Sequence, residues 1–281
     1  MSGISSQTPS TFTGIVMCDT VVQHLSGAAL TVHSVFHHAC NLTTPDNHLL
    51  TLLTQDAPLA PGAVRMRCAD FRPLFSVGEM VRPQDDRTYA AAGCRVMLTS
   101  VPCQSTCVPE DAILPSGLSE ALDAFLPVTA PEYGIWNNLH SRDRRLMLAV
   151  RQLTQWLEDD ATPAPGEALK TLIGAGAGLT PSGDDFLLGM LFVMNVTRHR
   201  RFEALASAID GLLSRTTDIS RAMLQYGSGG HFGEQLLALT VSGPLSLNAR
   251  LLRVAAYGHS SGHDMLTGIL FTLRALSGQR L

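Results

Sequence analysis

The residues with most chemical potential lie in one string, Gly174-Ala-Gly-Ala-Gly-Leu-Thr-Pro-Ser-Gly-Asp-Asp-Phe-Leu-Leu-Gly. A glycine-rich loop runs there into a helix start. Ser182 and Asp185 have the S-x-x-D spacing of a capping box, with Asp in place of the usual Glu. Alternatively, Thr180 caps the helix and Pro181 takes its first position. Either arrangement puts a hydroxyl at the helix mouth. Capping accounts for Ser182 and Asp185, but not for Asp184 or for the excess of glycine. Free backbone N–H groups at such a helix start bind anions. Gly176, Gly178, Thr180, Ser182 and Gly183 are therefore candidate substrate-binding residues, and Asp184 and Asp185 candidate catalytic ones. Two adjacent carboxylates repel an anion unless a cation lies between them. Either Asp184 and Asp185 hold Mg²⁺ that bridges to a phosphate or carboxylate, or they orient an amine or amide donor.

The pattern recurs 79 residues later in Tyr257-Gly-His-Ser-Ser-Gly-His-Asp-Met-Leu-Thr-Gly. Both copies fit S-G-x-D-φ-L-x-G-φ-L. Two copies are too few for a solenoid, so the expectation is a duplicated helical hairpin or two helix starts meeting at one site. Ser260, Ser261 and Gly262 join the substrate-binding candidates, with Ser261 and Asp264 repeating the capping box. Asp264 and His259 join the catalytic candidates, since an imidazole with a pKa of about 6.5 suits acid–base work. His259 and His263 also have the i, i+4 spacing of a metal pair, although plain surface or hydrogen-bonded histidines fit equally. Thr216-Thr-Asp-Ile-Ser-Arg221 starts another helix, capped by Thr217 or presenting Thr217 and Ser220 on one face. Its Arg221 suits a carboxylate or phosphate, and Ser220 and Arg221 complete the substrate-binding set. Neither glycine motif contains Lys or Arg. Positive charge would have to come from Arg221, from Lys170, from a metal or from another subunit, although Lys170 on its own reads as an ordinary helix-surface residue.

These motifs need elements to hold them. Thr13–Met17, Leu30–Phe36, Leu49–Thr54, Ala63–Cys68 and Cys94–Thr99 have the β-branched, turn-bounded character of short strands. Their spacing suggests a small antiparallel barrel or sandwich. His37 and His38 are expected on a strand of this half, where they should face opposite ways. After Ser116 the pattern is helical. Ser141 precedes a stripe of Leu146, Val150, Leu153 and Leu157, and further stripes follow at Phe202–Leu212 and Leu247–Val254. Gly174, Gly211, Gly227, Gly243 and Gly258 fall near helix ends. The helix after Ser182 is apolar on all sides and should be buried, and Gly189 within it implies close packing by another backbone. The fold class is thus α+β: a β-rich domain over residues 1–115, with 102–115 as linker, then an all-α domain of about seven to nine helices over 116–281.

Bulk composition narrows the function. Only 16% of residues are charged, against about 25% in an average domain. Lys170 is the sole lysine, so there is no phosphate-loop lysine, and any Schiff base would have to form there. A net charge of −4 gives no field for nucleic acid. No apolar run reaches the ~20 residues of a membrane helix. The first ten residues lack a signal-peptide pattern, which points to the cytoplasm. The six cysteines all precede residue 108 and are expected as buried free thiols. Cys103 and Cys107 lack the second ligand pair that zinc needs. The run Arg198-His-Arg-Arg201 is expected as a solvated helix end.

Gly178-Leu-Thr-Pro-Ser-Gly-Asp-Asp with Gly189, and Gly258-His-Ser-Ser-Gly-His-Asp with Gly268, resemble the signature of a bacterial family long of unknown function. One member is the third subunit of oxamate carbamoyltransferase in anaerobic allantoin breakdown. Val32-His-Ser-Val-Phe-His-His-Ala-Cys-Asn-Leu and Pro61-Gly62 also resemble that family. The resemblance implies a hetero-oligomeric complex with two further subunits, one similar to an acyl-CoA synthetase. It implies interconversion of oxalurate plus phosphate with oxamate plus carbamoyl phosphate, hence a small anionic substrate. Thr180, Ser182, Asp184, Asp185, Ser261 and Asp264 would then line a shared site.

Overall fold

The computed structural model describes residues 10–25, 27–141, 143–158, 165–240 and 244–278. The N-terminal residues 1–9 and Gly243 therefore lie outside the described residues. The chain divides into two compact units, residues 1–106 and 107–281.

In the first unit the strands are β1 Ser10–Cys18, β2 Leu30–Val35, β3 Ala39–Thr43, β4 Leu49–Leu53, β5 Ala63–Met66, β6 Met80–Asp85, β7 Thr88–Ala90, β8 Cys94–Met97 and β9 Cys103–Gln104, with a short helix α1 Asp19–Val22 after β1. They pair in the order β5-β4-β3-β2-β6-β7-β8-β1, and β1 returns to β5, so eight strands close a barrel while β9 adds to β1. Closure leaves no free edges among these strands and selects the barrel over the sandwich. The expectation of an antiparallel sheet needs correction. β4–β5, β1–β8 and β1–β9 pair in parallel, the last two because the long β1 serves as a seam joined by strands running the same way. Its register with β5 shifts between Gly14 and Val16. A Cβ on Gly14 would lie 2.7 Å from Val101, so glycine leaves room for the Val101 side chain against the seam.

Inward residues such as Val32, Leu42, Leu50, Val64, Tyr89 and Val96 fill the barrel core. Cys18, Cys40, Cys68 and Cys94 are buried, whereas Cys103 and Cys107 are exposed, contrary to the expectation that all six would be buried. His37 and His38 do not lie on a strand. They form the bend between β2 and β3 with their rings 4.1 Å apart.

The described part of the second unit is built of helices: α2 Leu118–Thr129, α3 Ile135–His140, α4 Arg144–Glu158, α5 Gly166–Leu172, α6 Ser182–Val196, α7 Phe202–Asp210, α8 Asp218–Ser228, α9 Glu234–Leu237, α10 Leu247–Ala255 and α11 Ser261–Leu276. Short pieces such as α9 take the number past the expected range. An isolated β-bridge joins Cys107 to His231. The start of α4 is held by Asp143, which accepts from the N–H groups of Arg145 and Leu146 at 3.1 Å; Ser141 instead ends α3. Arg201 is buried rather than solvated. Its guanidinium stacks 4.9 Å from the Trp156 ring and donates to the Trp156 carbonyl. Among the described residues, no helix is long and apolar enough to cross a membrane.

At the centre of this unit, α6 and α11 cross. Both are largely buried, which their shortage of charge permits. A Cβ on Gly189 would lie 2.1 Å from the Met265 carbonyl oxygen, and one on Gly268 would lie 2.0 Å from the Phe186 oxygen. Each helix thus gives up a side chain where the other's backbone passes.

Candidate functional site

The crossing brings the two repeated motifs together at their N-terminal ends. Gly183 and Gly262, each second in its helix, sit against the preceding helix: a Cβ there would lie 2.0 Å from the Leu172 oxygen and 1.9 Å from the Val254 oxygen. Their N–H groups bond to Ala175 O and Tyr257 O, both at 2.9 Å. Thr180 Oγ1 and Ser261 Oγ lie 2.8 Å apart and join the two starts.

The capping-box expectation is overturned at both starts. Pro181 occupies the N-cap of α6 and Ser260 that of α11, and neither helix has a side-chain cap. Ser182 and Ser261 are instead first helical residues, and the hydroxyl of each serves the other helix's carboxyl. Burial pushes the Asp185 carboxyl well above the usual range. Asp264 and Asp184 add to this, while the hydroxyls of Ser261 and Thr180 oppose it. Burial likewise raises Asp264, opposed by the Ile135 N–H and the hydroxyls of Ser182 and Ser260. Asp264 Oδ1 accepts from Ile135 N at 2.6 Å, which fastens the start of α3. The other oxygen of each residue, Asp185 Oδ2 and Asp264 Oδ2, is buried and has no hydrogen-bond partner. Tyr257 is the residue that spacing alone did not single out. Burial and the nearby Asp185 push its phenol up to about 12.

Asp184 turns away from this junction. Its Oδ1 accepts from Gly174 N at 2.9 Å, and its Oδ2 accepts from Ser220 Oγ at 2.7 Å and from the Thr216 hydroxyl. The adjacent carboxylates therefore diverge and do not form a joint Mg²⁺ site. Among the described residues, no group of three or more His, Cys, Asp and Glu side chains is placed to hold a metal ion. Ser220 is a brace for Asp184. Thr217 caps α8, accepting from Ser220 N at 3.1 Å.

The expected cations also lie elsewhere. Arg221 donates to Leu213 O at 3.1 Å and pairs with Asp218 at 2.9 Å. Lys170 pairs with Glu167 at 2.8 Å on the surface of α5. His259 is exposed in the turn before α11, off the helix, so it forms no i, i+4 pair with His263. His263 stacks on Phe125, and burial lowers its pKa.

The glycine loop has a backbone explanation. Gly174, Gly176 and Gly178 all have positive φ, at 77°, 126° and 95°. A Cβ on Gly176 would lie 2.6 Å from Ser182 N, whereas Gly178 faces open space. Gly176 and Gly178 are exposed, so the α6 start lies one residue layer from solvent.

Two family models match the chain. The one described as oxamate carbamoyltransferase subunit AllH covers residues 172–273, which include both glycine motifs. The AllH family N-terminal domain covers residues 13–103, the barrel. No solved structure matches significantly. Each unit thus carries its own match, and the chain belongs to the AllH family of oxamate carbamoyltransferase subunits.

Proposed function

We propose that this chain is a subunit of an oxamate carbamoyltransferase complex in allantoin catabolism, and that its part in the reaction is played at the junction of α6 and α11. The complex would interconvert oxalurate plus phosphate with oxamate plus carbamoyl phosphate. A phosphate oxygen attacks the ureido carbonyl, the C–N bond breaks, and the departing nitrogen takes the proton that phosphate gives up. Such a step needs polar groups on the amide and cations on the phosphate.

The observation that carries this reading is the pair of buried carboxyl oxygens without partners, Asp185 Oδ2 and Asp264 Oδ2. A helix packed only for stability would not leave two such acceptors unpaired, because each costs about 1–3 kcal/mol. Asp185, Asp264, Thr180, Ser182, Ser260 and Ser261 form the proposed site, with Gly183 and Gly262 setting the backbone and Gly176 and Gly178 the exposed lip. Asp184 and Ser220 hold that lip in place. His259 lies at the exposed edge of the site. Arg221 and Mg²⁺ are not assigned to it, so the phosphate-binding cations belong to partner subunits.

The test is a complex reconstituted with Asp185→Asn. The expected result is a loss of at least 100-fold in carbamoyl transfer, with assembly and circular dichroism unchanged. Wild-type activity in that complex would remove the junction from the reaction and leave the chain a scaffold.

A further inference from the structure

The reading above leaves open which part of the substrate the junction holds, and the following inference rests on that reading. We propose that the paired helix starts take the terminal –CO–NH₂ group of an amide or ureide, through Asp185 and Asp264, and do not take phosphate.

The argument begins with charge. The two cations closest in sequence to the motif and its brace, Lys170 and Arg221, are committed to Glu167 and to Asp218 and Leu213. What faces the junction instead is two carboxyls, the hydroxyls of Thr180, Ser182, Ser260 and Ser261, and the phenol of Tyr257. An anion placed there is offset by neither Lys170 nor Arg221 and meets two groups that become negative when they ionise.

Hydrogen-bonding capacity then narrows the ligand. Asp185 is 5% exposed and Asp264 0%, and each keeps one oxygen unpaired. Asp185 reaches across to the α11 start, where Ser261 meets it, and Asp264 reaches back to Ser182 at the α6 start. The unpaired oxygens therefore belong to carboxyls that converge from both helices. Because the carboxyls are raised, each can hold a proton and so present a donor beside an acceptor. A primary amide offers the complementary pair, N–H beside C=O, and can close two hydrogen bonds with one carboxyl. A carboxylate has no N–H to offer, so it can accept from a protonated carboxyl but leaves the acceptor oxygen beside that donor unpaired, or meets like charge where the carboxyl is ionised. A site built to bond an N–H can reject an analogue that lacks one by several orders of magnitude.

The experiment is isothermal titration calorimetry of the full chain with oxamate, oxalate, inorganic phosphate and Mg²⁺ as separate probes. Oxamate is expected to bind saturably, with oxalate and phosphate at least tenfold weaker. Asp185→Asn and Asp264→Asn, checked for folding by circular dichroism, should each weaken oxamate at least tenfold. Thr180→Val serves as a milder variant should either fail to fold, with a several-fold loss expected. Phosphate or oxalate binding as tightly as oxamate would make this an anion site, and saturable Mg²⁺ a cation site; either overturns the proposal. So does the absence of oxamate binding, or binding indifferent to all three variants. Failure of the two readings is distinguishable. Asp185-dependent oxamate binding with full activity of the Asp185→Asn complex removes the junction from the reaction but leaves amide pairing intact. Lost activity without any oxamate binding does the reverse.

Discussion

Asp184 and Asp185 share a peptide bond and have opposite surroundings. Asp184 has a donor on every side. Asp184→Ala would strand the Gly174 N–H and two hydroxyls, so we expect a destabilisation of about 3 kcal/mol in urea melts. A change below roughly 1 kcal/mol would show that the brace is dispensable. Asp185 is held by few donors, and its carboxyl is raised by burial. The folded chain then keeps a proton that the unfolded chain releases near pH 3.9. The stability tied to this group is full below that value and is lost as pH climbs toward the folded value. Each unit of raising removes about 1.4 kcal/mol. Asp185→Asn does not titrate, so its melting temperature relative to the parent should rise as pH climbs above about 4 and level off once pH passes the folded value. A gap independent of pH would contradict this. The sequence singled out these residues but not the partners that they take. Ser182 and Asp185 are spaced like a local cap, yet their partners, Asp264 and Ser261, lie 82 and 76 residues away in the other copy, and that exchange is a fact of three dimensions only.

At the level of helices and strands, the crossing of α6 and α11 depends on two glycines in mirrored roles. Gly189→Ala and Gly268→Ala each force a methyl to about 2 Å from a carbonyl oxygen, so the helices must part. We expect each to cost at least the 1–3 kcal/mol typical of overpacking. The double variant should cost clearly less than the sum, since one separation relieves both contacts. Strict additivity in chemical denaturation would argue that the contacts are independent. Gly189 was legible in the sequence because a glycine in an all-apolar helix calls for a close neighbour. Much of the barrel was legible too, since β2 and β4 bury residues such as Val32 and Leu50 within short, turn-bounded β-branched or leucine-rich runs. β3 and β6 were not. β3 buries Asn41, which bonds to Ser34 and Thr51, and β6 carries Pro83 among exposed polar residues. Nor does any local signal announce a parallel seam, because β1 meets β8 more than eighty residues along the chain.

Across the whole molecule, the cysteines separate by environment. Burial raises the thiols of Cys18, Cys40, Cys68 and Cys94, with Cys40 pushed up to about 12 and Cys94 to about 11. Cys103 and Cys107 are exposed. Maleimide labelling of the native chain, read by mass spectrometry, should therefore modify Cys103 and Cys107 and spare the other four until denaturant is added. Early labelling of Cys40 or Cys94 would mean that the barrel opens readily. The meeting of α6 with α11 has a different consequence, which concerns how the protein is made. α6 is apolar on nearly every face, and the helix that covers it begins 79 residues later. At roughly 5–20 residues per second, a ribosome leaves that surface without its partner for roughly 4–16 s. Few local contacts reward the wait, because the decisive ones are distant in sequence. The same pairing that builds the junction makes the newborn chain depend on whatever shields α6 in the meantime.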